Sequence, residues 1–168
     1  MGYYPIPIRY GLTVGELTYM AINESWLSPL PKKITIVKMD GWKRSMFFDE
    51  THLPWIPPSP NIPNLETAII YPGMCLFEAT NLSEGRGTQK PFLQIGAPWI
   101  KKDLINQLKA LKLEGININF TKFSPKTIPG KALHPKFEND TCYGSIFKIT
   151  KKHKFKALET ALRKISII

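Results

Sequence analysis

Phe92-Leu93-Gln94-Ile95-Gly96-Ala97-Pro98-Trp99 is an apolar, extended-looking stretch, and with the pattern downstream of it this run decides the fold class. Beyond it, apolar residues recur at 100, 104, 105, 108 and 111. That spacing is close to a period of 3.6 and predicts a helix from about Ile100 to Leu113, with Gly115 as its stop. Next, Ile116-Asn117-Ile118-Asn119-Phe120-Thr121-Lys122-Phe123 alternates and reads as a strand with one wet face. Strand, helix, strand in this order argues for an α/β domain.

The pattern extends outward in both directions. Downstream, Gly144-Ser145-Ile146-Phe147-Lys148-Ile149-Thr150 reads as a strand. A last helix spans about His153 to Ile165, with Phe155, Leu158, Ala161, Leu162 and Ile165 inward. Upstream, Thr13-Val14-Gly15-Glu16 fits a capping box that opens a helix running to about Trp26. Ile34 to Met39 is β-branched and reads as a strand, and Met74-Cys75-Leu76-Phe77 as a buried one covering 74–79. Asn64 caps a short helix that Pro72-Gly73 ends. The sum is a mixed sheet of about four to five strands flanked by three main helices. The long loop from Asp40 to Asn64 carries Trp42, Phe47, Phe48 and Trp55, and is expected to pack.

The net charge of +10 is unevenly placed. Residues 1–90 hold eight Lys/Arg and eight Asp/Glu, whereas residues 91–168 hold fifteen and five. No aromatic platform or nucleic-acid reading motif accompanies these lysines, so a solvated basic surface is the simpler account. No apolar run nears the ~20 residues of a membrane helix. The opening Met1-Gly2-Tyr3-Tyr4-Pro5 has no secretory-signal pattern. Cys75 and Cys142 lack metal-ligand spacing, and the three histidines are isolated; neither a metal nor another cofactor is expected.

Two loops carry the polar chemistry. Asn81-Leu82-Ser83-Glu84-Gly85-Arg86-Gly87-Thr88 gathers an amide, two hydroxyls, a carboxylate and a guanidinium after a predicted strand. Glycines flank Arg86 and permit sharp turning and close approach of a ligand; a structural turn with Arg86 paired to a carboxylate is the competing account. The second loop, Asp40 to Thr51, offers Trp42 for stacking on a sugar, Arg44 for a carboxylate, and Asp49 and Glu50 for hydroxyls. The alternative there is a core Trp42 and a local Arg44–Asp49 pair. Glu78 and Glu84 raise the possibility of a two-carboxylate glycosidase.

These residues also carry a resemblance. Tyr4 to Leu17, Gly41 to Thr51, Pro58-Ser59-Pro60-Asn61, Tyr71 to Thr88 and Ile95-Gly96-Ala97-Pro98-Trp99 resemble, in order, segments of the DUF1343 family. That family includes exo-β-N-acetylmuramidases of peptidoglycan recycling. The resemblance implies two-part enzymes with a Rossmann-like N-terminal half, a second α/β half and substrate in the cleft between them. On it, this chain is similar to the C-terminal half, spanning 1–168. The expectation is a truncated or split product whose N-terminal half is absent or separately encoded, and which is inactive alone. Family members are often exported or periplasmic. The resemblance implies a peptidoglycan-derived sugar or muropeptide as ligand, with Glu84 or Glu78 as a candidate catalytic carboxylate. It places Arg86, Asn81, Trp42, Arg44 and Asp49 at the substrate, an arginine matching the lactyl carboxylate of N-acetylmuramic acid. A non-catalytic binding module for muropeptides or anionic polymers, and a decayed gene product, are the alternatives.

Overall fold

The structure is a computed structural model that describes residues 4–7 and 11–166. The chain divides into two compact units, Met1–Thr51 and His52–Ile168.

The first unit is built around helix α1 (Val14–Asn23). Its predicted capping box is present: Glu16 N donates to Thr13 Oγ1 at 3.2 Å, and Thr13 N donates to Glu16 Oε2 at 2.8 Å. Two of the helix's orphan N–H groups are thereby satisfied. The helix ends at Asn23 rather than Trp26, and Trp26 instead stacks on Tyr4 with ring centroids 4.4 Å apart. Residues 34–39 do not form the expected strand. They enter no ladder, and Val37 is 91% exposed. A β-branched run becomes a strand only where a neighbour supplies hydrogen bonds and a packing face. Among the described residues of this unit, none is buried.

The second unit holds the core. Helix α2 (Leu65–Met74) begins at Asn64, whose side chain accepts from Thr67 N as predicted. It does not stop at Pro72 but runs through it, and a 3₁₀ turn, Cys75–Ala79, continues the same direction. The predicted strand at 74–79 is therefore helical. A four-residue apolar run fits a buried strand and a buried helix equally well, and periodicity cannot separate them. Here burial of Ile70, Met74 and Phe77 on one side decides for the helix.

The sheet has three strands: β1 (Gln94–Ala97), β2 (Ile116–Phe123) and β3 (Cys142–Ile149), in the order β1-β3-β2. Both pairings are antiparallel, with Ile95 opposite Ser145 and Ile118 opposite Phe147. The sheet is thus smaller than expected and not mixed, because the two upstream strands do not exist as strands. Helix α3 (Lys102–Ala110) joins β1 to β2, and α4 (Ala157–Ile165) comes after β3. The α/β class stands.

Helix α4 starts later than its apolar pattern suggests, at Ala157. It turns Ala157, Thr160, Ala161 and Lys164 inward and leaves Leu162 59% exposed. The reason is close helix packing. A Cβ at Gly73 of α2 would lie 2.1 Å from Ala157 O, so the two backbones nearly touch and only small residues fit between them. The core joins Ile70, Met74 and Phe77 of the helical layer to Ile95, Ile116 and Phe147 of the sheet. Lys164 Nζ lies 3.3 Å from the centroid of Phe147, and burial pushes this amine well below the usual lysine range.

Both cysteines are free thiols. Burial and Asp140 push Cys142 up to about 11, which makes it an inert hydrophobe at neutral pH. Among the described residues, no helix is long and apolar enough to cross a membrane.

Candidate functional site

The loop 81–88 is tied to β1 along its length. Ser83 and Gly96 exchange both backbone hydrogen bonds, at 2.8 and 3.0 Å. Phe92 N donates to Glu84 O at 2.7 Å. The Thr88 hydroxyl donates to Gly85 O and accepts from Gln94 Nε2. The two hydroxyls of the motif thus serve the loop's own closure, Ser83 Oγ by accepting from Gly85 N at 3.3 Å.

The glycines do the same. Gly85 and Gly87 have φ of 82° and 77°, the left-handed region that glycine enters without cost. A Cβ on Gly87 would lie 2.5 Å from Lys126 O and 2.7 Å from Pro135 Cγ. Lys126 N in turn donates to Gly87 O at 2.9 Å. The close approach expected at these glycines is therefore made to the chain itself. It seats the segment 126–136 against the loop.

That seating closes a pocket of about 380 Å³ lined by Glu78, Glu84, Arg86 and residues 132–136. Two of the predicted carboxylates and the predicted arginine meet here. Arg86 Nη1 stands 3.7 Å from Glu78 Oε1, both side chains about two-fifths exposed. The competing structural role for Arg86 is thus partly realised, with Glu78 as the partner. Glu84 is different: it is 5% exposed. Burial raises its carboxyl above the usual range and Glu78 adds to this, while its own backbone N–H, Lys136 and Arg86 act the other way. Among the described residues, neither Glu84 Oε2 nor Arg86 Nε has a hydrogen-bond partner. A buried acceptor and a buried donor left open at one pocket point to a bound group. Asn81 is exposed at the start of the same loop.

Trp42, Arg44 and Asp49 belong to the first unit. Trp42 is 39% exposed, and the Arg44 guanidinium lies 5.8 Å from its ring centroid. Arg44 Nη2 pairs with Glu16 Oε1 at 2.6 Å, and Nη1 donates to Gly11 O. Its carboxylate partner is therefore on α1. Thr13 N first and Arg44 second hold Glu16 below the usual carboxylate range. Asp49 is exposed, within a 3₁₀ turn, Phe48–Glu50, of the same loop.

Two pocket neighbours were not legible in the sequence. Lys136 Nζ donates to the carbonyls of Phe77, Glu78, Thr80 and Leu82, at 3.3, 2.8, 2.8 and 3.2 Å. It also stands 3.7 Å from Glu84 Oε2. The second is Tyr71, whose hydroxyl is raised by burial, then by Glu78 and Cys75, with Arg86 opposing. Lys136 touches residues more than fifty positions away, and no local spacing announces that.

Comparison with known proteins fits this arrangement. Residues 69–168 match the family profile described as exo-beta-N-acetylmuramidase NamZ, C-terminal. Residues 1–66 match its N-terminal counterpart. The chain belongs to the DUF1343 family. Within that family it is 41% identical, over all of its length, to the peptidoglycan beta-N-acetylmuramidase NamZ of Bacillus subtilis (strain 168). It spans 38% of that relative. A crystal structure of a DUF1343 protein from Bacteroides fragilis NCTC 9343 superposes with a TM-score of 0.85 at 30% identity. It covers 98% of this chain and 41% of the neighbour. A second from the same organism gives 0.65 at 33%, covering 97% and 39%. The resemblance drawn from the sequence is confirmed at the level of the DUF1343 family. The two profiles meet between residues 66 and 69.

Proposed function

We propose that this chain supplies the substrate-cleft part of an exo-β-N-acetylmuramidase, which releases terminal N-acetylmuramic acid from peptidoglycan fragments. The observation that carries the reading is the pairing of unlike carboxyls in one pocket: a buried Glu84 with a raised pKa and a half-exposed Glu78 beside Arg86. One buried and one half-exposed carboxyl in a pocket are suited to different jobs. Glu84, whose carboxyl burial raises above the usual range, is suited to protonate the leaving glycosidic oxygen. Glu78 is the candidate second carboxylate, which attacks the sugar or activates water. Arg86 already faces a carboxylate at 3.7 Å, and its planar fork would exchange Glu78 for the lactyl carboxylate of the substrate. Asn81 is placed to hydrogen-bond a sugar hydroxyl or acetamido group.

The 41% identity to a relative that carries this activity in its name supports the reading. Under it, Trp42 offers an exposed ring face for stacking on a sugar, with Arg44 and Asp49 as polar groups of the same loop. The relative is more than twice as long, and we assign the remaining catalytic parts to a further N-terminal portion, in this chain or a separate one.

The test is hydrolysis of a chromogenic N-acetylmuraminide by this chain alone and with the relative's N-terminal portion supplied. Turnover in the mixture, abolished by Glu84→Gln, supports the proposal. A mixture that binds muropeptides without turning them over, and loses them steeply with salt, favours a non-catalytic basic binding module instead.

A further inference from the structure

The pocket contains one cation that no sequence motif announced, and its surroundings are unusual. The Lys136 ammonium is gripped by four main-chain carbonyls at 2.8–3.3 Å, all from the segment 77–82. Three of its four acceptor oxygens lie in or just past the last turn of the 3₁₀ segment Cys75–Ala79, where the backbone dipole is negative. The fourth, Leu82 O, lies immediately before Ser83, which is bonded to β1. The ammonium therefore closes the chain from the end of the helical layer to the start of the pinned loop. Glu78 lies inside that closed stretch, and Glu84 lies two residues beyond it.

Lys136 is also the cation nearest Glu84, at 3.7 Å from Oε2, with its side chain one-third exposed. The other charged groups acting on Glu84 are Glu78 from the 3₁₀ turn and Arg86 from the same loop. Those two face each other and offset one another. His134, on the same segment as Lys136, is turned to Glu138 at 3.4 Å.

We propose that Lys136 is the positioning residue of this site: by gathering the carbonyls of Phe77, Glu78, Thr80 and Leu82 around one ammonium, it fixes the spacing of Glu78 and Glu84 and supplies the charge that Glu84 meets. It acts through Glu84 and the backbone and has no part in bond making. The inference rests on the reading of the pocket given above, but it is measurable without turnover. Removing the ammonium while keeping the chain volume leaves Glu84 facing burial and Glu78 with only its own backbone N–H and Arg86 opposed.

The experiment is a ¹³C-carboxyl titration of Glu84 in the full chain, assigned by Glu84→Gln and repeated in Lys136→Met. An opposite charge within about 4–6 Å lowers a carboxyl by roughly one to three pH units. The Glu84 midpoint is expected to rise by at least about one unit in Lys136→Met while amide signals of β1 and β3 hold their positions. An unchanged midpoint overturns the proposal. Should Lys136→Met fail to fold, the ¹⁵N signal of Lys136 Nζ in the unaltered chain decides. A slowly exchanging ammonium, shielded by four acceptors, supports the crown; a signal exchanging as fast as those of exposed lysines overturns it. Failure of muraminide hydrolysis leaves either result intact, so the two readings fail separately.

Discussion

The two units use the same pair of charges for opposite ends. In the first, Glu16 and Arg44 meet at 2.6 Å, with side chains 45% and 53% exposed. In the second, Glu84 and Lys136 stand 3.7 Å apart, with Glu84 nearly sealed from water. The shorter pair is the weaker one. Water screens exposed charges, and two long side chains lose freedom in holding one geometry. The longer pair sits where screening is poor and where Lys136 is already fixed by four carbonyls. Distance alone does not rank ion pairs; burial and prior fixation do. The contrast extends to the units as wholes. One has no buried residue among those described; the other has a continuous core under a loop with its backbone spent.

The largest effect that sharpens this contrast comes from the core. Phe77→Ala empties a fully buried site beneath the pocket, and we expect a loss of about 3–5 kcal/mol, seen as a lower denaturant midpoint for residues 52–166. A change below about 1 kcal/mol would mean that the helical layer does not carry the pocket. Gly87→Ala comes next. The new Cβ meets a left-handed φ and Lys126 O together, so we expect roughly 2–3 kcal/mol, with the Lys136 ammonium signal lost as the segment 126–136 moves away.

Lys164→Met should stabilise the second unit by roughly 1–3 kcal/mol at pH 7. The sign comes from the depressed pKa. Between its folded value and the ordinary lysine value, the unfolded chain holds a proton that the folded chain does not. Stability of the parent therefore rises with pH across that window, and the advantage of Met shrinks as pH approaches the ordinary lysine value. An advantage independent of pH would show Lys164 charged in the folded state. Glu84→Gln has the reverse sense. A raised carboxyl makes the folded parent lose stability as pH rises through the unfolded and then the folded value, so the Gln variant gains on the parent over that range in pH-stepped melts. Smallest is Arg44→Ala. It removes the exposed pair with Glu16, the bond to Gly11 O and the contact with Trp42, and we expect the melting midpoint of residues 52–166 to stay where it is while amides of α1 exchange faster.

Features fixed by local chemistry were legible in the sequence. The Thr13–Glu16 box and the Asn64 cap are short-range hydrogen-bond patterns, and both are present. The alternation at 116–123 needed only one wet face, and it forms β2. What failed depended on distant partners. The run 74–79 could be strand or helix until Ala157 and Ala161 were placed against Gly73. The run 34–39 needed a neighbouring strand that the described residues do not provide. Glu78, Glu84 and Arg86, which line one pocket, could be singled out as candidates because a carboxylate–guanidinium loop is dense in chemistry. Lys136 was not, because among so many lysines in residues 91–168 only its contacts distinguish it. Lys164 was missed for a related reason: helical spacing placed Leu162 inward, but the narrow α2–α4 contact turns that face away.

The pinning of loop 81–88 to β1 also separates what can vary from what cannot. Positions 83, 85, 87 and 88 are engaged in backbone bonds or close backbone contacts, and altering any of them disturbs the platform itself. Positions 81 and 86 project side chains that the platform does not need for its own closure. Under the proposed function, a protein engineer seeking a different sugar acid would hold the first set constant and randomise the second. The same division forecasts where related chains with different preferences should diverge while keeping this backbone.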